Sequence, residues 1–123
     1  MSKVIIGHSS DSGDIDYLED FLRLGCFLGF DRIHRDCLRA AKTICKLVER
    51  GWEDKLLLSH DWAVFIDSQN YSWEERRDKI FAPEHNLTNV HKNLIPHLKE
   101  LGVSQKQIDK ALHDNPLALM NRT

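Results

Sequence analysis

Two side chains able to bind a metal ion or move a proton follow apolar segments of this chain. His8 comes directly after residues 4–7, and Asp61 ends the segment 56–61. Neutral imidazole and carboxylate oxygen are common ligands of zinc, manganese and cobalt. In an α/β barrel, side chains at the carboxyl ends of the strands meet at the open rim. The pattern therefore indicates the chemistry of a metal-dependent hydrolase.

Each of these candidates also has a structural interpretation. A lone histidine after an apolar run is more often a hydrogen-bonded structural residue than a ligand, so both roles stay open for His8. Asp61 has the stronger case, because a carboxylate at the end of an apolar strand is costly without a cation or donor beside it. Asp11 either orients a ligand and relays a proton or caps the next helix together with Ser12. Trp62 could form the wall of a substrate pocket.

Arg32 and Asp31 follow a third apolar segment, 26–30. The guanidinium could bind an oxygen-rich substrate, or it could pair with Asp31, Asp11 or Asp36. The sequence does not decide between these roles. The remaining histidines show neither His-x-His nor His-Glu-x-x-His spacing, and the chain has no Gly-x-Ser-x-Gly motif. These absences argue against other standard hydrolase sites.

Composition points to one ordinary globular domain in a reducing compartment. The 123 residues are 41% hydrophobic and carry a net charge of −2, so electrostatic binding to nucleic acid or to an anionic membrane is not expected. The three cysteines have no Cys-x-x-Cys spacing, which speaks against a disulfide framework and favours the cytoplasm. The apolar run near Met1 is too short for a signal peptide or a membrane span.

The elements that must position these residues are predicted to alternate along residues 1–123 as βαβαβ, followed by carboxyl-terminal helices. Continuous apolarity is typical of parallel strands buried on both faces, so we expect an α/β fold. A long polar and aromatic stretch, 63–87, contains a short helical pattern at 73–80. Asp-Asn-Pro at 114–116 is expected to end the last helix and to start a short turn through 117–120. The predicted strands are 3–8, 26–31 and 55–60, and the predicted helices are 14–24, 36–50, 89–101 and 104–113.

Four motifs in a fixed order make the chain resemble the carboxyl-terminal part of the phosphotriesterase family, which includes the phosphotriesterase-like lactonases of the amidohydrolase superfamily. The resemblance implies a TIM (β/α)8 barrel whose sixth, seventh and eighth strands are the three predicted here. The motifs are Val-Ile-Ile-Gly-His-Ser-Ser-Asp at 4–11, Gly-Cys-Phe-Leu-Gly-Phe-Asp-Arg at 25–32, Leu-Leu-Ser-His-Asp-Trp at 57–62, and Ile-Pro-His-Leu at 95–98 continuing through Gly-Val-Ser at 102–104 to Asp-Asn-Pro at 114–116.

The resemblance also implies roles for individual residues. The family holds two divalent metals, zinc first, with manganese, cobalt or iron as alternatives, bridged by a hydroxide and a carboxylated lysine. His8 would be a ligand of one metal, and Asp61 would be a ligand of the other and accept the proton of the attacking hydroxide. Arg32 stands where lactonase-like members carry a substrate-binding arginine. Asp11 matches a catalytic aspartate near the proton-relay path, and Trp62 matches a residue of the pocket wall.

The chain departs from the family pattern because the strands that carry the other ligands have no counterpart in it. It retains one protein ligand for each metal. Its 123 residues are also fewer than the roughly 250 residues that a whole barrel needs. We therefore expect part of a longer hydrolase of esters, lactones or phosphotriesters, inactive alone and with or without bound metal. The alternative is a non-catalytic α/β interaction or oligomerisation module with a vestigial site. In either case the open sheet predicts a homo-oligomer or a missing amino-terminal portion.

Overall fold

The computed structural model of the chain describes residues 4–62 and 86–121. Three parallel strands form one sheet in chain order, which confirms the predicted α/β fold. The strands are shorter than the predicted 3–8, 26–31 and 55–60, and the second and third of them end where polar Asp31 and Ser59 begin. The observed bounds are Ile5–Ile6 for β1, Phe27–Phe30 for β2 and Leu56–Leu58 for β3.

Two amphipathic helices connect the strands: α1 (Ile15–Arg23) and α2 (Cys37–Glu49). Asp14 caps α1 by accepting a 3.1 Å hydrogen bond from the backbone N–H three residues later, and Asp36 caps α2 in the same way at 3.0 Å. Such caps satisfy amide groups that have no partner inside the helix. The cap of α1 is therefore Asp14, and the capping role considered for Asp11 is wrong.

The central strand, β2, carries the core. All four of its residues are buried, and Leu28 and Phe30 are 0% exposed. The edge strand β1 is different, since Ile5 is 47% exposed and the preceding Val4 is 39% exposed. No strand among the described residues pairs with the outer edge of β1. Within 4–62 and 86–121, the sheet is thus well packed at its centre and open along β1.

The carboxyl-terminal region contains two π-helical turns, and each of them immediately precedes an α-helical segment with proline at its second position. In these turns the N–H of Ile95 bonds to the carbonyl of Val90, and the N–H of Asn115 bonds to the carbonyl of Lys110. The segments are a π-turn at Val90–Leu94, α3 at Ile95–Glu100, α4 at Gln105–Asp109, a π-turn at Lys110–Asp114 and α5 at Asn115–Met120.

The expected end of the last helix at Pro116 is wrong, because helical backbone continues from α4 to Met120. Proline has no N–H and its ring crowds the preceding turn, and a π-turn widens the helix at that point. Asn115 adds a reason to continue, since its buried side-chain amide donates to the carbonyls of Glu53 (2.7 Å) and Leu56 (2.8 Å). The last helix is thereby attached to the start of β3.

The short helical pattern at 73–80 and most of the polar stretch 63–87 lie outside the described residues. Among the helices of the described ranges, none is long and apolar enough to cross a membrane.

Candidate functional site

The loops that follow the three parallel strands bring the predicted site residues together. His8 lies in the loop after β1, Arg32 follows β2, and Asp61 follows β3. Arg32 Nε donates to Asp61 Oδ2 at 3.2 Å, and the same oxygen lies 4.0 Å from His8 Nδ1. Residues from three separate strand ends therefore share one polar rim, as expected for the carboxyl edge of a parallel sheet.

His8 and Asp61 also share an unusual backbone conformation. They are the non-glycine residues with positive φ in the described part of the chain, with values of 57° and 50°. A left-handed backbone is uncommon outside glycine and persists where surrounding contacts enforce it, often at functional sites. The two residues that the resemblance names as metal ligands thus stand out by backbone geometry alone.

The loop that carries His8 is held by two buried serines. Ser9 Oγ donates to the carbonyl of Ile6 at 2.8 Å, which closes the turn after β1. Ser10 Oγ accepts from the backbone N–H of Arg32 at 3.2 Å, which ties this turn to the loop after β2. Neither serine was singled out from the sequence, because a serine after a strand carries no distinctive pattern. The rim is therefore built from two loops that are hydrogen-bonded to each other.

Asp31 contacts both the backbone and the ring of His8. Its Oδ2 accepts from the backbone N–H of His8 at 3.1 Å, and its Oδ1 lies 2.9 Å from the ring Nδ1. The sequence suggested Asp31 only as a partner for Arg32, and this contact was missed. The one signal available was its place at the end of the strand next to β1.

Arg32 pairs with two carboxylates of the rim. In addition to its contact with Asp61, its Nη1 donates to Asp11 Oδ2 at 2.7 Å, and Arg35 Nη1 lies 3.5 Å from the same oxygen. Of the partners considered from the sequence, the structure selects Asp11, whereas Asp31 binds His8 instead. The hydrogen bond from Arg32 to Asp11 raises the pKa of the guanidinium above its usual value, with Asp61 adding to the effect.

The arginines also change the acidity of Asp11. Partial burial alone would raise the pKa of Asp11, but the hydrogen bond and charge of Arg32, together with Arg35 and His8, outweigh it. The net effect is a pKa below the ordinary aspartate range. Asp11 is therefore held in its ionised form, which suits a fixed acceptor for Arg32.

A pocket of about 360 Å³ opens beside this network. Its polar lining includes His8, Asp11 and Arg32, and Tyr17 from α1 contributes an aromatic side. Neither Asp61 nor the half-buried Trp62 lines this pocket. The wall role of Trp62 accordingly stays a prediction.

The described residues do not by themselves fit a catalytic metal centre. Within 4–62 and 86–121, no group of three or more histidine, cysteine, aspartate or glutamate side chains is arranged to hold an ion. His8 Nδ1 is engaged by Asp31, which leaves Nε2 as its one nitrogen able to bind an ion, and Asp61 Oδ2 is engaged by Arg32. Catalytic zinc sites typically use three protein ligands. Any metal at this rim would need ligands from elsewhere.

Comparison with known proteins places the sequence in one family. The profile of the phosphotriesterase family covers residues 1–120. A "Phosphotriesterase homology protein" of Mycobacterium tuberculosis is 33% identical over 126 residues, covering 99% of this chain and 37% of the relative. An "Aryldialkylphosphatase" of Saccharolobus solfataricus is 32% identical over 118 residues, covering 93% of this chain and 37% of the relative.

The fold agrees with the sequence comparison. The solved structure of the phosphotriesterase from Mycobacterium tuberculosis superposes with a TM-score of 0.86 and 34% identity, over 98% of this chain and 37% of that structure. The chain therefore spans a little over a third of the length of these relatives, and its three strands with their helices match part of a phosphotriesterase TIM barrel. The chain belongs to the phosphotriesterase family and corresponds to the carboxyl-terminal part of its fold.

Proposed function

We propose that this chain supplies the carboxyl-terminal part of a binuclear metal-dependent hydrolase that acts on an ester, a lactone or a phosphotriester. The observation that carries the proposal is the meeting of His8, Arg32 and Asp61 at one rim of three parallel strands, in a chain of this family. Zinc is the first choice of metal, and manganese, cobalt and iron are alternatives. In the complete protein, the attacking water would be acidified by metal.

The geometry supports distinct roles for the rim residues. Asp61, oriented by Arg32, would accept a proton from the attacking water. Arg32 is 26% exposed and is anchored by Asp11, so its guanidinium can stay in place while it meets an oxygen of the substrate. Asp11, with its lowered pKa, keeps the guanidinium paired. His8 would contribute one ligand.

The chain alone is expected to be inactive. It spans 37% of the relatives it matches, and its described residues provide no group of three metal ligands. A catalytic site with too few ligands neither holds its ion firmly nor positions the nucleophile. Function would require the remaining strands of a barrel, in the same polypeptide or in a partner.

A chimera tests the proposed function. The matching part of the Saccharolobus solfataricus aryldialkylphosphatase is replaced by this chain, and hydrolysis of an aryl dialkyl phosphate and of a lactone series is measured with added zinc or manganese. We expect turnover by the chimera and none by the isolated chain. Asp61→Asn in the chimera should reduce the rate by about 100-fold or more, because a positioned general base is lost.

The control for this experiment is Asp54→Asn, which removes an exposed carboxylate outside the rim. It should leave the rate unchanged. A folded chimera that binds metal but hydrolyses none of these substrates would contradict the proposal. That result would favour the alternative, a non-catalytic interaction module in which His8 and Asp61 are vestigial.

The open edge of β1 leads to a second expectation for the isolated chain. Val4 and Ile5 are exposed at a sheet edge with which no strand of the described residues pairs, a combination that favours association with another strand. Light scattering after size-exclusion chromatography should therefore show an assembly heavier than the 14.3 kDa chain. Ile5→Lys should shift it towards the monomer, because a charge on an edge strand opposes pairing.

Leu38→Lys is a matched control for Ile5→Lys. Leu38 lies on α2 and is 45% exposed, close to the 47% of Ile5, but it is not on the sheet edge. It should leave the mass unchanged. A stable 14.3 kDa monomer for the unmodified chain would show that the open edge needs no partner.

A further inference from the structure

One carboxylate contacts His8 at two points, although the residues are 23 positions apart. Asp31 Oδ2 accepts from the backbone N–H of His8, and Asp31 Oδ1 lies 2.9 Å from its ring Nδ1. The side chain of Asp31 is 15% exposed, whereas that of His8 is 46% exposed. The more buried group therefore holds the more exposed one.

The backbone contact explains how His8 keeps its left-handed conformation. At φ 57° the residue cannot continue the extended strand β1, and this conformation is unfavourable for most residues other than glycine. A charge-assisted hydrogen bond from the His8 N–H to Asp31 offsets part of that cost. The turn and the ring position thus depend on the same carboxylate.

The ring contact determines which nitrogen carries the proton. An ionised carboxylate only accepts hydrogen bonds, so the neutral ring must donate from Nδ1 to Asp31 and keep its lone pair on Nε2. The other carboxylate nearby, Asp61, lies 4.0 Å from Nδ1, which is too far for a hydrogen bond. Among the carboxylates of the described residues, Asp31 is therefore the one placed to select this tautomer.

We propose that Asp31 is the positioning residue of His8: it fixes both the left-handed backbone of His8 and its Nδ1–H tautomer, and it thereby keeps the lone pair of the ring on Nε2. The relevance to catalysis rests on the proposed function, because a free Nε2 is what a ligand role of His8 needs. The tautomer itself depends on the contact with Asp31 and on neither substrate nor metal.

Nitrogen-15 NMR of the labelled chain tests the proposal. Long-range proton–nitrogen spectra are recorded without added metal, at an alkaline pH where imidazole rings are neutral, and the His8 signals are assigned by their loss in His8→Gln. The unmodified chain should show His8 with the proton on Nδ1. In Asp31→Asn, which can present an amide donor to Nδ1, the two ring nitrogens should exchange their protonated and unprotonated shifts.

Two further variants separate acceptor chemistry from packing. Asp31→Glu keeps a carboxylate and should retain the Nδ1–H form, which a purely steric role would not explain. Asp61→Asn removes the more distant carboxylate and should leave the His8 tautomer unchanged. Circular dichroism checks that each variant is folded.

Three outcomes would overturn the proposal: an Nε2–H form of His8 in the unmodified chain, an unchanged tautomer in folded Asp31→Asn, or a switch caused by Asp61→Asn. The first outcome is measured on the unmodified chain, so the proposal can be tested even if Asp31→Asn does not fold. Because the spectra involve neither substrate nor metal, an inactive chimera would count against the proposed function and leave this result unaffected.

Discussion

Replacing Phe30 by alanine is expected to lower the free energy of unfolding by about 3–5 kcal/mol, because it removes a large core side chain and leaves a cavity. Phe30 is 0% exposed and ends β2, the central strand of the sheet. Small domains are stable by only about 5–15 kcal/mol, so most of the available stability is at risk. Urea denaturation followed by circular dichroism measures the loss.

The matched control is Leu24→Ala, because Leu24 is apolar but 56% exposed. It should change stability by no more than about 0.5 kcal/mol. Equal losses for Phe30→Ala and Leu24→Ala would mean that β2 is not the centre of the core.

Phe30 also links stability to the site. It directly precedes Asp31 and Arg32, and its carbonyl accepts the N–H of Ser59 at 3.0 Å, next to the loop that carries Asp61. The rim therefore depends on a strand whose own position depends on core packing. A milder substitution, Phe30→Leu, is the better choice for any study of the rim itself.

The parallel sheet was predictable because its cause is local. Continuous apolarity in 26–31 and 55–60 reports burial on both faces, and burial on both faces is characteristic of parallel strands. The strand ends were less predictable. His8 and Asp61 leave the extended conformation with positive φ, and the contacts around them, such as the hydrogen bond from His8 to Asp31, join residues distant in sequence.

The residues of the candidate site were likewise predictable in part, and the contacts between distant residues were not. The resemblance named His8, Asp61, Arg32 and Asp11, and the structure connects all four through direct or neighbouring contacts. The resemblance did not identify Asp31 as the partner of His8. That contact follows from the register of β1 against β2, with Ile6 opposite Leu28, and a single strand contains no record of its register.

Pro116 illustrates how a reliable rule gave a wrong boundary. Proline usually ends a helix because it lacks an N–H and its ring crowds the preceding turn. Here a π-turn at Lys110–Asp114 precedes it, and buried Asn115 ties the segment to Glu53 and Leu56. Tertiary hydrogen bonds thus favour continued helix where local preference favours a stop.

Glu19 on α1 is the other position with a large expected effect, because it accepts hydrogen bonds from three donors, one on α1 and two just past the end of α2. Its buried carboxylate accepts from Trp52 Nε1 at 2.8 Å, from Arg50 Nη1 at 3.0 Å and from Arg23 Nη2 at 2.8 Å. The hydrogen bond from Trp52, followed by Arg50 and Arg23, outweighs burial and holds the pKa of Glu19 below its ordinary value. Ionised Glu19 therefore fastens α1 to the end of α2.

The lowered pKa of Glu19 determines the direction in which the free energy of unfolding changes with pH. A group whose pKa is lower in the folded state contributes stability that is complete above the unfolded pKa and is lost as the pH falls through the folded pKa. Glu19→Gln should therefore lower stability near neutral pH and flatten its decline in acid, so that the two proteins converge at low pH. Urea midpoints are measured from about pH 7, above the unfolded glutamate pKa of about 4.3, down to the lowest pH at which the chain stays folded.

Asp20→Asn is the control for Glu19→Gln, since Asp20 is the next residue on α1, is 74% exposed and pairs with Arg23 at the surface. Exposed pairs contribute little to stability, so this variant should follow the pH curve of the unmodified chain. If Glu19→Gln retained the full acid slope, the three donors would not be stabilising an ionised Glu19. The connection between α1 and α2 would then depend on apolar packing by residues such as Leu18 and Ala41, which are buried in the same core.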